Sequence, residues 1–546
     1  MEIIKITDIN KDYEAARSGI EKFLKRSQSA DTIISETLLI FEAICHNINE
    51  QINDAREREK SGKWGEASSE NANMPIITVT GKRRMGYSAL RLEYEGPMFR
   101  TAPRDENDLS PEERIIKAYD DRIDCSYRTG YNKINITARR STLGVFLPCL
   151  IAVALAIIVY IPIHYFVSAD GRVYLWGHIV FPLEELFTNA MLLAGAPVTF
   201  LSLIRNLTNT YVISERASNA RKLHIVTIFS SVISVLLAIG LSFVIFKSVG
   251  GSSVPFSGTN DMTIDLRLPV FISTLLPDNI FTPFMTISPF PIIVLAIIIT
   301  YALCSSGKYF NKTKGFMDAG YALFSKILNI IMHTLPFFIF VAFLDMLLLD
   351  GFADLLYLLE LVAVVVLGSV ILFCYYFIRL LVYGVPIKPF FKKLFPLLLE
   401  NLKINSAIDA VPYTIRYCAR NYGMDRKNLE SSIPMLAQVN LDGNCFFITL
   451  IAMILMLVSD TEITIWNVLA IAVMVFFLSF GAPNQVGSIL IALVIILNYM
   501  SAHNLIPIAI FSEVFFGALL NITNVCGDMI TVAEQEMGRK KKGTAT

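Results

Sequence analysis

Charged residues are scarce in this chain. Asp, Glu, Lys and Arg together make up 17% of its 546 residues, whereas soluble domains carry roughly 25%. Acidic and basic residues balance at 47 each, so the formal net charge is zero and offers no basic surface to a polyanion. We therefore expect no nucleic-acid partner.

Recognisable catalytic and metal-binding patterns are also missing. The eight cysteines form no CxxC pair and are interpreted as reduced structural thiols. The six histidines are dispersed and none lies in an HExxH motif. Without a Walker loop or a Ser/His/Asp arrangement, we predict that the chain is not an enzyme and holds no organic cofactor. The N-terminus lacks the apolar core of a cleavable signal peptide, so we expect it in the cytoplasm.

Long apolar runs begin after Arg140. From Ser141 to Ala169 there is no charged residue, and a helix needs about 20 apolar residues to cross a bilayer. Seven further candidate spans lie at 175–204, 223–247, 287–304, 317–349, 354–383, 429–458 and 505–531. Basic connections at 205–222, 307–315, 388–393 and 538–542 alternate with neutral or acidic ones. By the positive-inside rule, the sequence predicts a multi-pass inner-membrane protein with both termini cytoplasmic.

Two apolar segments are interrupted in their middle. Segment 389–423 is broken by Asn405, Ser406, Asp409 and Pro412, and segment 467–500 is broken by SFGAPNQVGS. Arms of 10–14 residues are typical of re-entrant segments, and irregular backbone at membrane depth lines a cavity or is covered by protein. The alternative is a pair of Pro-kinked spanning helices.

Each interrupted segment is followed by an apolar helix that carries polar side chains. These are Asn440 and Asp442 in the first helix, and Glu513, Asn521, Asn524 and Asp528 in the second. A carboxylate at the centre of a membrane helix costs about 2.5–3.5 kcal/mol, so it normally faces a pathway or an ion. Paired interruptions of this kind indicate the midplane site of a transporter. A channel is disfavoured because the polar groups gather at the two hairpins.

Four motifs in this region resemble those of the dicarboxylate/amino acid:cation symporters. They are SAIDAVPYTIRYC (406–418), NLDG (440–443), GAPNQVG (481–487) and NVCGD (524–528). The resemblance assigns residues 141–540 to a symporter domain of eight transmembrane helices and two re-entrant hairpins. It further implies inverted repeats, a homotrimer and an elevator mechanism.

The resemblance also implies which residues bind cations and substrate. The implied sodium ligands are Asn440, Asp442, Asn524, Asp528, Ser230 and Ser231. The implied substrate-binding residues are Ser406, Ala407, Asn444, Ala482, Pro483, Asn484, Gln485, Asn521 and Asn524. Oxygen ligands of these types suit hard cations. Proton coupling through a buried carboxylate is the alternative to sodium.

Two substitutions bear on the substrate. Leu520 stands where the family usually has an arginine for the side-chain carboxylate, and Gly517 replaces the aspartate that binds the amino group. Without the guanidinium, a second carboxylate lacks its bidentate partner. We therefore expect a less charged carboxylate or amino acid as substrate. The alternatives are a transporter that has lost this family's substrates and a transporter-like membrane sensor.

Residues 1–140 are predicted to form a cytoplasmic α/β accessory domain. An amphipathic helix is expected at 35–52, with strands at 75–81, 88–96 and 133–140. This order resembles the anti-sigma-factor branch of the GHKL ATPases.

The resemblance to the GHKL ATPases is incomplete at the nucleotide contacts. Asn47 is retained, but Ala43 replaces an acidic residue and Tyr94 replaces the adenine-binding aspartate. We therefore expect a nucleotide-free regulatory or docking domain with an unknown cytoplasmic partner, and ATP binding is the alternative.

Overall fold

The chain folds as two compact units, Met1–Val145 and Phe146–Thr546. The computed structural model describes residues 3–6, 9–27, 31–60, 76–84, 87–99, 112–113, 116, 119, 122–128, 130–139, 142–216, 218–248, 275–351, 353–404, 410–458, 464–482 and 487–543. Each unit buries its own set of apolar side chains.

The first unit contains a five-stranded antiparallel sheet and two long helices. The helices are α1 (Ile9–Arg26) and α2 (Asp31–Lys60). The strands are β1 (Ile3–Ile6), β2 (Ile77–Arg84), β3 (Tyr87–Glu95), β4 (Ile123–Arg128) and β5 (Tyr131–Arg139), in the sheet order β1-β2-β3-β5-β4. The predicted helix at 35–52 and the three predicted strands are confirmed, although each boundary shifts by one or more residues.

The alternation of apolar residues fixes which face of this sheet is buried. Leu90 and Leu92 on β3 pair with Ile136 and Ile134 on β5, and all four are buried. Strand β5 packs against α2, whose Ile44 is also buried. Since side chains point to alternate faces of a strand, this two-residue period places the apolar set on one side of the sheet.

The second unit consists of helices joined by short non-helical connections in its described residues. Its helices are α3 (Thr142–Phe166), α4 (Ala169–Leu175), α5 (Phe181–Arg216), α6 (Ser218–Ser248), α7 (Thr282–Met285), α8 (Pro289–Cys304), α9 (Phe310–Met332), α10 (Leu335–Asp350), α11 (Ala353–Tyr383), α12 (Ile387–Ile404), α13 (Val411–Asn421), α14 (Arg426–Val439), α15 (Asp442–Val458), α16 (Ile465–Phe480), α17 (Ser488–Tyr499) and α18 (Ile506–Gly543).

Among the described residues, six helical stretches are long and apolar enough to cross a membrane. They are Phe146–Phe166, Ala169–Tyr211, Lys222–Ile245, Leu358–Tyr383, Asn428–Leu457 and His503–Glu536. A seventh candidate is the pair Pro289–Cys304 and Gly307–Met332, which is bent by 108°. The structure thus supports a membrane protein with six or seven spans by length and composition, and the predicted number of eight is not reached by this criterion.

The predicted span at 317–349 is wrong as a single helix. Helix α9 ends at Met332, and α10 starts at Leu335 after a short break at His333 and Thr334. Pro336 lies in the first turn of α10 and has no backbone N–H to donate to the carbonyl of Met332. Its ring also disfavours helical backbone at the preceding residue, so the apolar run divides here.

Both interrupted segments are helix–break–helix units. The first pairs α12 with α13, and the second pairs α16 with α17. Residues 405–409 and 483–486, at the centre of the two breaks, lie outside the described part of the chain. Gly487 precedes α17 with a φ of +104°. Only glycine adopts such a backbone readily, so this residue defines how the returning arm begins.

Candidate functional site

A third break in helical structure lies between α14 and α15. Asn440 and Leu441 are non-helical and fully buried, with Asp442 as the first residue of α15. The end of one helix leaves backbone carbonyls without intrahelical partners, and the start of the next presents free N–H groups. A carboxylate at the start of a helix is stabilised by the helix dipole. The NLDG motif therefore places polar backbone and an acidic side chain inside an apolar core.

Asn440 and Asp528 form a buried pair. The Asn440 Nδ2 group donates to Asp528 Oδ1 at 2.9 Å, and the exposed fractions of the two residues are 0% and 3%. The second polar atom, Asn440 Oδ1, is buried and has no hydrogen-bond partner among the described residues. A buried acceptor left unpaired is costly unless something outside the chain satisfies it. Next to a carboxylate, this oxygen is suited to a cation.

Asn524 connects the helix α18 to the start of α15. Its Oδ1 accepts from the Gly443 backbone N–H at 2.8 Å, and its Nδ2 donates to Asn444 Oδ1 at 2.9 Å. A Cβ at Gly443 would lie 2.2 Å from Thr523 Oγ1 and 2.8 Å from the Leu520 carbonyl. Only a glycine permits this close approach of the two helices. The NLDG and NVCGD motifs are thus joined through side-chain amides.

Asp442 is surrounded by hydroxyl groups. Ser230 and Ser231, on α6, donate to Asp442 Oδ2 and Oδ1 at 2.5 and 3.1 Å. Tyr376, on α11, donates to Oδ2 at 3.5 Å. These three donors come from two helices that are far from Asp442 in sequence, and all the residues concerned are buried. The structure therefore brings together Ser230, Ser231 and Asp442, three of the six residues expected to bind cations.

A guanidinium group lies beside Asp442. Arg379, on α11, has its Nη1 atom 3.8 Å from Asp442 Oδ2 and donates to Ser230 Oγ at 2.7 Å. Its Nε and Nη2 groups both donate to the Glu534 carboxylate at 2.8 Å, and Nη2 also donates to Thr531 Oγ1 at 3.1 Å. This arginine was not among the residues predicted from the sequence. The signal that could have found it is its position in the apolar run 358–383, where charge is rare.

Glu513 binds the start of α17. Its Oε1 accepts from the Gly487 backbone N–H at 2.7 Å, and its Oε2 accepts from the N–H groups of Ile489 and Leu490 at 3.1 and 3.2 Å. A carboxylate at a helix N-terminus satisfies donors that have no intrahelical partner and complements the helix dipole. The buried charge of Glu513 therefore fixes the returning arm of the second hairpin to α18.

The remaining expected residues fall into two groups. Asn521 is buried and donates to the Asn401 carbonyl at 3.4 Å, which places it against the end of the first hairpin arm, and Ala482 is buried at the end of α16. The others lie outside the described residues, namely Ser406, Ala407, Pro483, Asn484 and Gln485. Leu520, which stands where the resembled family usually has an arginine, is buried.

Comparison with known proteins decides the family. The model of the sodium:dicarboxylate symporter family matches residues 141–533, well over half of the chain. The chain belongs to the sodium:dicarboxylate symporter family. The resemblance drawn from the four motifs is therefore confirmed, and the chain is a membrane transporter and not an enzyme.

Individual relatives in this family are distant in sequence. The C4-dicarboxylate transport protein of Xylella fastidiosa (strain M23) is 23% identical over 373 residues, covering 65% of this chain and 81% of the relative. A protein described in the same way from Stenotrophomonas maltophilia (strain R551-3) is 22% identical over 370 residues, with the same coverage. Excitatory amino acid transporter 4 of Mus musculus is 27% identical over 146 residues, covering 27% of this chain and 26% of the relative.

Proposed function

We propose that this symporter-family protein moves a small organic carboxylate or amino acid across the inner membrane together with sodium. The observation that carries the sodium assignment is the unpaired, buried Asn440 Oδ1 next to the Asp528 carboxylate. A hard cation prefers several oxygen ligands, including a charged one. The Asn440 amide, the Asp528 carboxylate and neighbouring backbone carbonyls offer such a set. Asn524 holds the two helices at the correct separation.

The substrate assignment depends on what surrounds the second hairpin. The family relatives are described as transporters of C4-dicarboxylates and of excitatory amino acids. In this chain the usual position of the arginine is Leu520, so a second carboxylate has no bidentate partner there. The Arg379 guanidinium is not free to serve as that partner, because it is already paired with the Glu534 carboxylate. We therefore propose a substrate with one carboxylate and a neutral side chain.

We also propose the family's architecture for this chain, namely a homotrimer in which the hairpin-containing part slides by an elevator mechanism. Two helix–break–helix units, each followed by a polar helix, support inverted repeats around a midplane site. The basic connections support a multi-pass topology with both termini in the cytoplasm.

Uptake of labelled substrates tests this proposal. In proteoliposomes containing the purified full chain, we expect an inward sodium gradient to increase accumulation of a neutral amino acid or monocarboxylate at least tenfold over a potassium control. Four-carbon dicarboxylates and acidic amino acids should accumulate less.

Leu520→Arg should raise dicarboxylate uptake, since a charge-assisted bond is worth about 1.5–3 kcal/mol, roughly ten- to a hundredfold.

Two outcomes would contradict the proposed transport activity. If no member of a panel of monocarboxylates, dicarboxylates and amino acids accumulates under a sodium gradient, sodium symport is excluded. If dicarboxylates are the preferred substrates of the unmodified protein and Leu520→Arg has no effect, the assignment of a less charged substrate is wrong.

We further propose that the first unit is a nucleotide-free regulatory or docking domain. The family match begins at residue 141, so residues 1–140 contribute something other than the transport fold. The tyrosine at the expected adenine contact, Tyr94, is 2% exposed, and burial raises the pKa of its hydroxyl above the ordinary value. The adjacent loop is held by Asn132, which accepts from the Phe99 N–H and donates to the Pro97 carbonyl. The side chain of Asn47 accepts from Gln51.

Calorimetry with the full chain in detergent tests this assignment. We expect no heat of ATP or ADP binding up to millimolar nucleotide, because the residues expected to contact adenine are replaced or engaged within the protein. Micromolar binding of either nucleotide would contradict it.

Deleting residues 1–140 should leave uptake intact, and loss of only a downstream response would favour a sensory role for the domain.

A further inference from the structure

We propose that Arg379 is a tethered cation that takes the place of a mobile one at Asp442. The inference deepens the proposed function, on which it rests, by assigning the number of co-transported ions. Under this reading the Asp442, Ser230 and Ser231 cluster is a closed electrostatic network, and a mobile cation binds only at the Asn440–Asp528 pair.

Hydrogen bonding at Ser230 supports this assignment. Arg379 has no acceptor, so Nη1 must donate to Ser230 Oγ across 2.7 Å. Ser230 therefore directs its own proton to Asp442 Oδ2 at 2.5 Å. The Tyr375 hydroxyl lies 3.2 Å from Ser230 Oγ. Because the Ser230 proton points at Asp442, Tyr375 is the donor in this contact. The Ser230 oxygen thus has its lone pairs engaged within the protein, whereas a cation ligand must point a lone pair at the ion.

Charge leads to the same conclusion. The Arg379 Nη1 atom is 3.8 Å from Asp442 Oδ2, and the arginine side chain is 11% exposed. Two unit positive charges about 4 Å apart at an effective dielectric constant of 20 repel strongly enough to weaken binding about a thousandfold. A monovalent ion placed on Asp442 Oδ2 would meet this repulsion, offset in part by the Glu534 carboxylate, because a guanidinium cannot lose its proton.

The orientation of Arg379 is set from its other side. Glu534 accepts two parallel bonds from Nε and Nη2, each 2.8 Å long, and Thr531 accepts a third. Bidentate pairs of this kind fix the plane of the guanidinium. The Tyr375 ring lies 5.6 Å from the guanidinium carbon and covers one face. The arginine is therefore held towards Asp442 by residues of α18 and of its own helix.

Counting bound sodium tests the inference without relying on transport. Equilibrium binding of ²²Na⁺ to the purified full chain in detergent, with choline maintaining ionic strength, gives the number of ions per protomer. The informative variant is Arg379→Gln combined with Glu534→Gln, which removes the tethered charge without leaving the buried Glu534 carboxylate unpaired. We expect this double variant to bind one more sodium ion than the unmodified protein. Adding Asp442→Asn to it should abolish the extra site.

Controls separate this inference from a general effect on folding. Arg379→Lys keeps the positive charge and should leave the sodium count unchanged, and Asp442→Asn alone should also leave it unchanged. The inference is overturned if the double variant, eluting from a sizing column like the unmodified protein, gains no ion. It is equally overturned if Asp442→Asn alone removes one. Should the unmodified protein bind no sodium, the proposed coupling fails, while a gained site in the double variant still supports the role of Arg379.

Discussion

Replacing Asp528 with asparagine is expected to reduce sodium-driven uptake at least a hundredfold. The carboxylate is 3% exposed, and the neighbouring Asn440 Oδ1 is a neutral ligand that cannot hold a cation alone. Breaking a buried charge pair by removing one partner costs about 3–5 kcal/mol, and about 2.8 kcal/mol is already a hundredfold. The asparagine keeps the size of the side chain and an oxygen to accept from Asn440, so the fold should persist.

Initial uptake rates measured over a range of sodium concentrations would check this expectation. Asp170→Asn is the matched control, because Asp170 is an exposed aspartate in the short helix α4. Its removal should leave both the rate and the sodium dependence unchanged. Normal uptake with a normal salt requirement in Asp528→Asn would exclude Asp528 as the coupling ligand.

The second large effect is expected from Glu513→Gln. The glutamate accepts three backbone N–H groups at the start of α17, and an amide offers one acceptor oxygen and one NH₂ group that opposes them. Hydrogen bonds to charged groups are worth about 1.5–3 kcal/mol each, so losing even two of them releases the returning arm of the second hairpin. We expect uptake to fall at least tenfold, with a lower melting temperature in detergent.

The melting curve and the uptake rate should therefore change together in this variant. Glu185→Gln provides the control, since Glu185 is an exposed glutamate on α5. If Glu513→Gln lowers uptake while the melting temperature stays constant, the role of Glu513 is in ion or substrate binding and not in holding the hairpin. If neither quantity changes, the three hydrogen bonds are required neither for uptake nor for stability.

Local sequence signals predicted part of the fold. The long apolar run from Ser141 gave a single helix because its length and lack of charge leave no other way to satisfy the backbone in lipid. The strands at 88–96 and 133–140 followed from their two-residue alternation, since one face of the sheet is buried. The division at His333 and Thr334 was missed, because the apolar run continues across it and only Pro336 marks the break.

The candidate site was only partly predictable. Asn440 and Asp528 could be paired in advance because each lies in a motif that resembles a known family. The environment of Asp442 could not be predicted in the same way. Arg379 and Glu534 lie 155 positions apart in the sequence, and nothing in either local pattern indicates that they meet. Contacts of this kind depend on how helices pack, which a pattern read along one segment does not contain.

The end of the second hairpin's first arm, helix α16, is also bonded to helix α5. Asn206, on α5, donates to the Phe480 carbonyl at 2.7 Å, and Gly481 approaches the Thr199 carbonyl so closely that a Cβ would lie 2.9 Å from it. A buried hydrogen bond contributes about 1 kcal/mol net, so this contact favours the present packing of the second hairpin on α5 roughly fivefold over an arrangement without it.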